Sequence, residues 1–115
     1  MNLVENYRFG KIKVHGKSYS SDLIILPDSI HSNWWRKKGH LLHLEDLEIL
    51  KDAEIDSLVI GTGSIGRMKV PEEVINELKQ KEIDVIVCKS AEAIERYNNL
   101  AKTGKNTALA IHLTC

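Results

Sequence analysis

A chain of 115 residues, 43% of them hydrophobic, can bury most of the surface it would expose unfolded, so one domain without disulfide or metal staples is expected. Its 16 basic and 16 acidic residues cancel, which removes the long-range positive field that would draw in nucleic acid or an anionic membrane. Cys88 and Cys115 are too few for a disulfide framework, residues 1 to 6 carry neither an apolar signal core nor an Arg-rich presequence, and no apolar run nears the roughly 18 residues of a membrane span; a reduced, cytoplasmic protein is expected.

Irregular alternation from Tyr7 to Val14, then His15-Gly16 and Lys17-Ser18-Tyr19, predicts a β-hairpin with Gly16 at positive φ. Asp22 to Leu26 is a continuous apolar run after its first residue, closed by Pro27-Asp28, and reads as a strand covered on both faces. From Ile30 to Leu44 no period is clean, and the segment is expected to be irregular with one short strand. Leu47, Ile49 and Leu50 favour a short helix over Glu45 to Ala53, with its acidic residues at the amino end.

Leu58-Val59-Ile60 is an apolar strand that breaks into Gly61-Thr62-Gly63-Ser64-Ile65-Gly66. Pro71 then stands in the first turn of a helix ending near Lys81, with Val74, Ile75 and Leu78 as its inner stripe. Ile83 to Val87 is a strand. Ser90 is placed to cap a second helix lined by Ile94, Tyr97 and Ala101 and stopped at Gly104, and Thr107 to Leu113 closes the chain as a strand. Two successive β-α-β crossovers make the strands at Leu58, Val85 and Leu109 parallel neighbours. Their carboxyl ends then gather Gly61 to Gly66, Cys88 to Ser90 and His112 to Cys115 on one edge, where open α/β sheets keep ligands.

The glycine spacing matches G-x-G-x-x-G, the pattern in which backbone N–H groups approach a pyrophosphate. Three features oppose a dinucleotide: the helix starts about five residues after Gly66, its first turn carries Glu72 and Glu73, and the next strand ends at Cys88-Lys89 instead of a carboxylate. The loop reads better as a turn beside a cleft, with Arg67 and Lys69 suited to a smaller anion. His40-x-x-His43 and His112-x-x-Cys115 have metal-tolerant spacing but do not make a closed ligand set, so no metal and no cofactor are expected. Cys88 with His112 as base is a conceivable nucleophilic pair if their strands adjoin. Trp34-Trp35-Arg36-Lys37-Lys38 joins rings to positive charge; adjacent tryptophans on extended chain point to opposite sides, so one anchors the core and the other can serve as a hot spot for a protein, ahead of nucleic acid.

The combination of Trp34-Trp35-Arg36, Gly39-His40, Leu44-x-Asp46-Leu47, Val59-Ile60-Gly61-Thr62-Gly63 with Gly66, Val70-Pro71, Ala93 with Tyr97-Asn98, and Ala110-x-His112-Leu113-Thr114-Cys115 resembles a small conserved-hypothetical family of unknown function. Its eukaryotic members include mitochondrial complex I assembly factor 3 and a cytosolic protein associated with adipogenesis. The resemblance spans nearly the whole chain and implies a compact single-domain α/β fold, with a central, mostly parallel mixed sheet, helices packed on it and an extra β-hairpin. It also implies that Trp34 to His40, Gly61 to Arg67 and His112 to Cys115 converge.

The expected function is a non-enzymatic ligand- or protein-binding or assembly module. Ligand candidates are Gly61, Thr62, Gly63, Ser64, Gly66, Arg67 and His112, and partner candidates are Trp34, Trp35, Arg36 and His40. The partner is a small anion or a protein, not nucleic acid or membrane, and the chain is a monomer or a weak homodimer formed through an edge strand near the hairpin. The alternative is a small enzyme or nucleotide-binding oxidoreductase using Gly61 to Gly66 with Cys88 or His112.

Overall fold

In the computed structural model, which describes residues 2–115, the strands are β1 (Val4–Arg8), β2 (Lys11–Val14), β3 (Lys17–Tyr19), β4 (Leu23–Leu26), β5 (Ser29–His31), β6 (Ser57–Gly61), β7 (Asp84–Cys88) and β8 (Thr107–Ile111). Helices α1 (Glu72–Gln80) and α2 (Ser90–Lys102) and a 3-10 segment (Leu44–Leu50) complete it. β6 and β8 are buried throughout, as their unbroken apolar runs require. They form the centre of a five-stranded sheet of order β5-β4-β8-β6-β7, parallel from β8 to β7 and antiparallel at β4 and β5.

The sheet has a core on each face. Ile24, Leu58, Ile60, Ala108 and Ala110 pack under the 3-10 segment, α1 and Leu42, while Leu23, Ile25, Val59, Leu109 and Ile111 pack under α2 and a second, three-stranded antiparallel sheet, β1-β2-β3. The alternation along β8 therefore sets which layer each residue meets. Ala108 and Ala110 admit close packing, and His112, two residues on, continues the same side.

Four local expectations change. The hairpin is the β2-β3 half of a larger sheet: His15 (φ 49°) and Gly16 (φ 80°) make its turn, but a further turn at Phe9-Gly10 (Gly10 φ 78°) splits off β1, which accounts for the irregular alternation there. The helix expected over Glu45 to Ala53 is the 3-10 segment, kinked at Leu47 (φ −105°, ψ 18°). Leu47 and Leu50 are buried three apart, matching a repeat of about three residues per turn, whereas Ile49 is 39% exposed. Pro71 (φ −61°, ψ 146°) precedes α1 as its cap instead of sitting in its first turn. Lys89, not Ser90, caps α2. No helix among the described residues is long and apolar enough to cross a membrane.

Candidate functional site

The parallel register sets Gly61 opposite both Cys88 and Ile111, so the glycine loop, the β7-α2 junction and residues 112–115 leave the sheet together. The Trp34 to His40 segment joins them: Arg36 reaches His112, and the His40 and His112 rings meet edge to face at 5.5 Å. The three segments that the family resemblance groups do converge.

Most backbone donors of the glycine loop are committed to the protein itself. The Thr62 N–H donates to the Cys88 carbonyl (2.9 Å), Gly63 to Ser90 Oγ (2.9 Å), Ser64 to the Thr114 carbonyl (2.6 Å), Gly66 to the Gly63 carbonyl (3.2 Å) and Arg67 to the Cys115 carbonyl (2.9 Å). A phosphate cradle needs those N–H groups pointing at the ligand. Each glycine also has a packing or backbone reason. A Cβ on Gly61 would sit 2.9 Å from the Ile111 side chain and 3.0 Å from Ser90 Oγ, and one on Gly63 (φ 112°) would overlap the Cys115 carbonyl. Gly66 has φ 76°. The loop is a junction that locks 112–115 and α2 to β6, and the cationic side chains of Arg67 and Lys89 stand exposed around it.

Behind the loop lies a buried polar group. His112 Nδ1 and Arg36 Nη2 both lie 2.7 Å from Asp22 Oδ2, and the Leu113 N–H donates to Asp22 Oδ1 at 2.7 Å. The Arg36 side chain is only 4% exposed and that of His112 8%. A carboxylate only accepts, so His112 Nδ1 donates to Asp22, which turns Nε2 toward Thr114 Oγ1 at 3.4 Å. Burial alone raises the Asp22 carboxyl; hydrogen bonds from His112, the Leu113 N–H and Arg36 outweigh it and hold the carboxyl below its ordinary value. Arg36 also bonds the Gly39 carbonyl (3.0 Å) and stacks 4.6 Å from the Trp34 ring centroid. It is a clamp inside the fold, not a surface contact.

The two tryptophans divide as their adjacency implies. Trp34 is half-buried, packs on the core and donates its indole N–H to the Asp46 carbonyl at 2.8 Å, while Trp35 is 84% exposed. Trp35 borders a hollow of about 390 Å³ shared with Ser20, Asp22, Asn33 and Gly39. A larger hollow, about 510 Å³, lies elsewhere, between the 3-10 segment and the end of α1.

Cys88 and His112 do not adjoin, because β6 separates their strands. Burial, with the Glu92 carboxylate beside it, pushes the Cys88 thiol up to about 11, the reverse of an activated nucleophile. Among the described residues no group of three His, Cys, Asp or Glu could hold a metal. Two site residues escape the sequence reading. Ser90, read as a cap, is fully buried and donates to the His112 carbonyl at 2.6 Å while accepting from Gly63. Asp22 gave one signal, a lone carboxylate at the mouth of an apolar strand.

A family model described as "Protein of unknown function (DUF498/DUF598)" matches residues 4–112. The chain belongs to this family. DUF498/DUF598 includes mitochondrial complex I assembly factor 3 and the adipogenesis-associated domain protein. Among solved structures, the fold is similar to MT938 (28% identity, all of both chains, TM-score 0.81) and to conserved hypothetical protein PH1505 from Pyrococcus horikoshii OT3 (28%, 97% of this chain and 98% of that one, TM-score 0.80). It also matches a Mth938-like domain from Bordetella pertussis at 18% identity over 97% of this chain and 85% of that one, TM-score 0.79, a likeness of fold alone. These DUF498/DUF598 relatives carry the same architecture without a stated activity.

Proposed function

We propose that this DUF498/DUF598 chain is a non-catalytic binding module that engages a protein partner through Trp35 and the hollow beside it. The observation that carries this is an 84% exposed indole on a fixed backbone: Trp34 is hydrogen-bonded on one side and Arg36 is clamped by Asp22 on the other. A rigid exposed aromatic loses little entropy on association, which is what makes such residues hot spots. Phe9 (62% exposed) and Ile65 (61%) are further exposed apolar side chains, on turns whose neighbours Gly10 and Ser64 are bonded to Leu113 and Thr114. Arg67 and Lys89, which make no ion pair among the described residues, favour a partner with carboxylates at its rim. With the Thr62, Gly63, Ser64, Gly66 and Arg67 N–H groups occupied, a small anion would depend mainly on those two side chains.

The test compares pull-downs from cell extract by the wild-type chain, Trp35→Ala and a distant surface control, Lys79→Ala. Proteins retained by wild type and control should fall at least about tenfold with Trp35→Ala, the scale of a hot-spot loss. An unchanged set with Trp35→Ala overturns the reading. One observation favours a second reading, general-base chemistry: Asp22 orients His112 so that Nε2 faces the Thr114 hydroxyl. Ester hydrolysis above buffer that disappears in His112→Ala supports it, and equal rates remove it.

A further inference from the structure

The molecule has four strand edges. Three are guarded. β3 and β5 are only three residues long, and β3 begins with Lys17; β1 carries Glu5 and Arg8 and a register shift between Val4 and Asn6. Short length, charge and irregularity are the devices by which proteins keep edges from pairing. β7, Asp84-Val85-Ile86-Val87-Cys88, is the least guarded: its one charge, Asp84, stands at its first residue, and the strand is five residues long, regular along its whole pairing with β6, and apolar at its centre. It pairs on one side only, and its side chains are incompletely covered on both faces, with Val85 and Ile86 half-buried and Val87 40% exposed.

The main chain also defines which partner fits. The Asp84 N–H is taken by the Asp56 carbonyl and the Cys88 carbonyl by the Thr62 N–H, both on the β6 side. Alternation along a parallel strand then turns the N–H and C=O groups of residues 84, 86 and 88 toward β6 and those of 85 and 87 outward. On either side of this stretch the outward groups are already spent: the Ile83 N–H donates to the Leu78 carbonyl and the Lys89 carbonyl accepts from Ala93. Only Val85 and Val87 offer complete donor-acceptor pairs.

We propose that β7 is a homodimer interface, in which two copies of this chain join edge to edge, antiparallel, about a two-fold axis through Ile86. That register places Val85 opposite Val87 of the second copy as the two hydrogen-bonded pairs and Ile86 opposite Ile86. Shifting by one pair in either direction would require the Ile83 N–H or the Lys89 carbonyl. A second copy supplies the complement of this edge by symmetry, because an isologous contact uses one patch twice. The product is a continuous ten-stranded sheet. The contact is small, so the dimer is weak and concentration-dependent. It leaves Trp35 free and does not depend on the reading of that residue.

The register gives a direct test. Position 84 of one copy faces Cys88 of the other as a non-hydrogen-bonded pair, about 4.5 Å between Cα atoms, within disulfide reach. Within one strand the same two positions are about 13 Å apart, beyond it. An Asp84→Cys/Cys115→Ser chain oxidised with copper phenanthroline should therefore form a covalent dimer through positions 84 and 88, mapped by mass spectrometry, and Cys115→Ser alone should not cross-link. Sedimentation equilibrium up to roughly 0.3 mM, a range suited to a small interface, should show a wild-type dimer whose Kd rises at least about tenfold with Val87→Lys while the melting temperature stays within a few degrees. A wild-type monomer across that range, or a dimer that survives Val87→Lys and joins through other positions, overturns the proposal.

Discussion

Gly63 and Gly39 show how differently two glycines in the site segments are constrained. Gly63 has φ 112° and a Cβ there would meet the Cys115 carbonyl, whereas a Cβ on Gly39 meets nothing within 4 Å. Gly63→Ala should cost about 3 kcal/mol or more, combining overpacking with a forbidden backbone region, and Gly39→Ala about 0.5 kcal/mol or less; urea denaturation of the two variants measures both. At the buried cluster, Asp22→Ala leaves the Arg36 guanidinium, 4% exposed, without its carboxylate, which should cost about 3–5 kcal/mol. The same residue sets an acid dependence. The folded-state pKa of Asp22 lies below its ordinary 3.8, so its contribution is complete above that value and is lost as the pH falls through the folded one. A urea-midpoint series from pH 6 to 2 should show this loss in the wild-type chain and a flatter profile in Asp22→Asn.

At the scale of elements, α2 is fixed at its start by a side chain the sequence pattern assigns a different task. Ser90 follows a strand and opens a helix, the position of a cap, yet its hydroxyl joins the Gly63 N–H to the His112 carbonyl. Ser90→Ala strands both groups in a buried place and should cost about 2–5 kcal/mol, read from the melting curve, where loss of an ordinary cap costs about 1 kcal/mol. The elements that were legible are those with one strong period. The apolar runs of β4, β6, β7 and β8 and the stripes Val74-Leu78 and Tyr97-Ala101 fix strands, helices and their parallel order, because burial on defined faces leaves few other arrangements. The three-stranded sheet and the 3-10 segment were not legible in full: Phe9-Gly10 looks like a lapse in alternation until its turn is seen, and Leu47-Ile49-Leu50 satisfies a 3.6 and a 3.0 repeat almost equally over so short a span. In the site, the convergence of three segments followed from strand order. The Asp22–Arg36–His112 contacts did not, since they span up to 90 residues of sequence and depend on β4 lying antiparallel beside β8.

For the whole molecule, the two sheets are joined by a shared apolar layer, Val4, Ile12 and Val14 against Leu23, Ile25 and Leu109, and by a few polar contacts. The Asn98 side chain on α2 bonds both backbone groups of Val4 in β1, at 2.9 Å each, in effect serving as a further strand partner. Tyr97 donates to the Asn2 carbonyl (2.8 Å), and both Tyr7 (3.0 Å) and the Gly10 N–H (2.9 Å) donate to the Leu113 carbonyl, further polar tethers between the layers. Removing Asn98 takes away two hydrogen bonds and leaves the Val4 groups half-covered, a loss of about 2 kcal/mol. That loss should fall unevenly. The amides of β6 and β8 lie in the buried centre of the five-stranded sheet and exchange only with global unfolding, whereas β1 can detach with its own sheet. Native-state hydrogen exchange of Asn98→Ala should therefore lower protection of β1 and β2 by about 30-fold, the factor that corresponds to 2 kcal/mol, with a smaller change in β6 and β8. An equal fall across both sheets would mean that they open together and that the second sheet is integral to the core, not an attached layer.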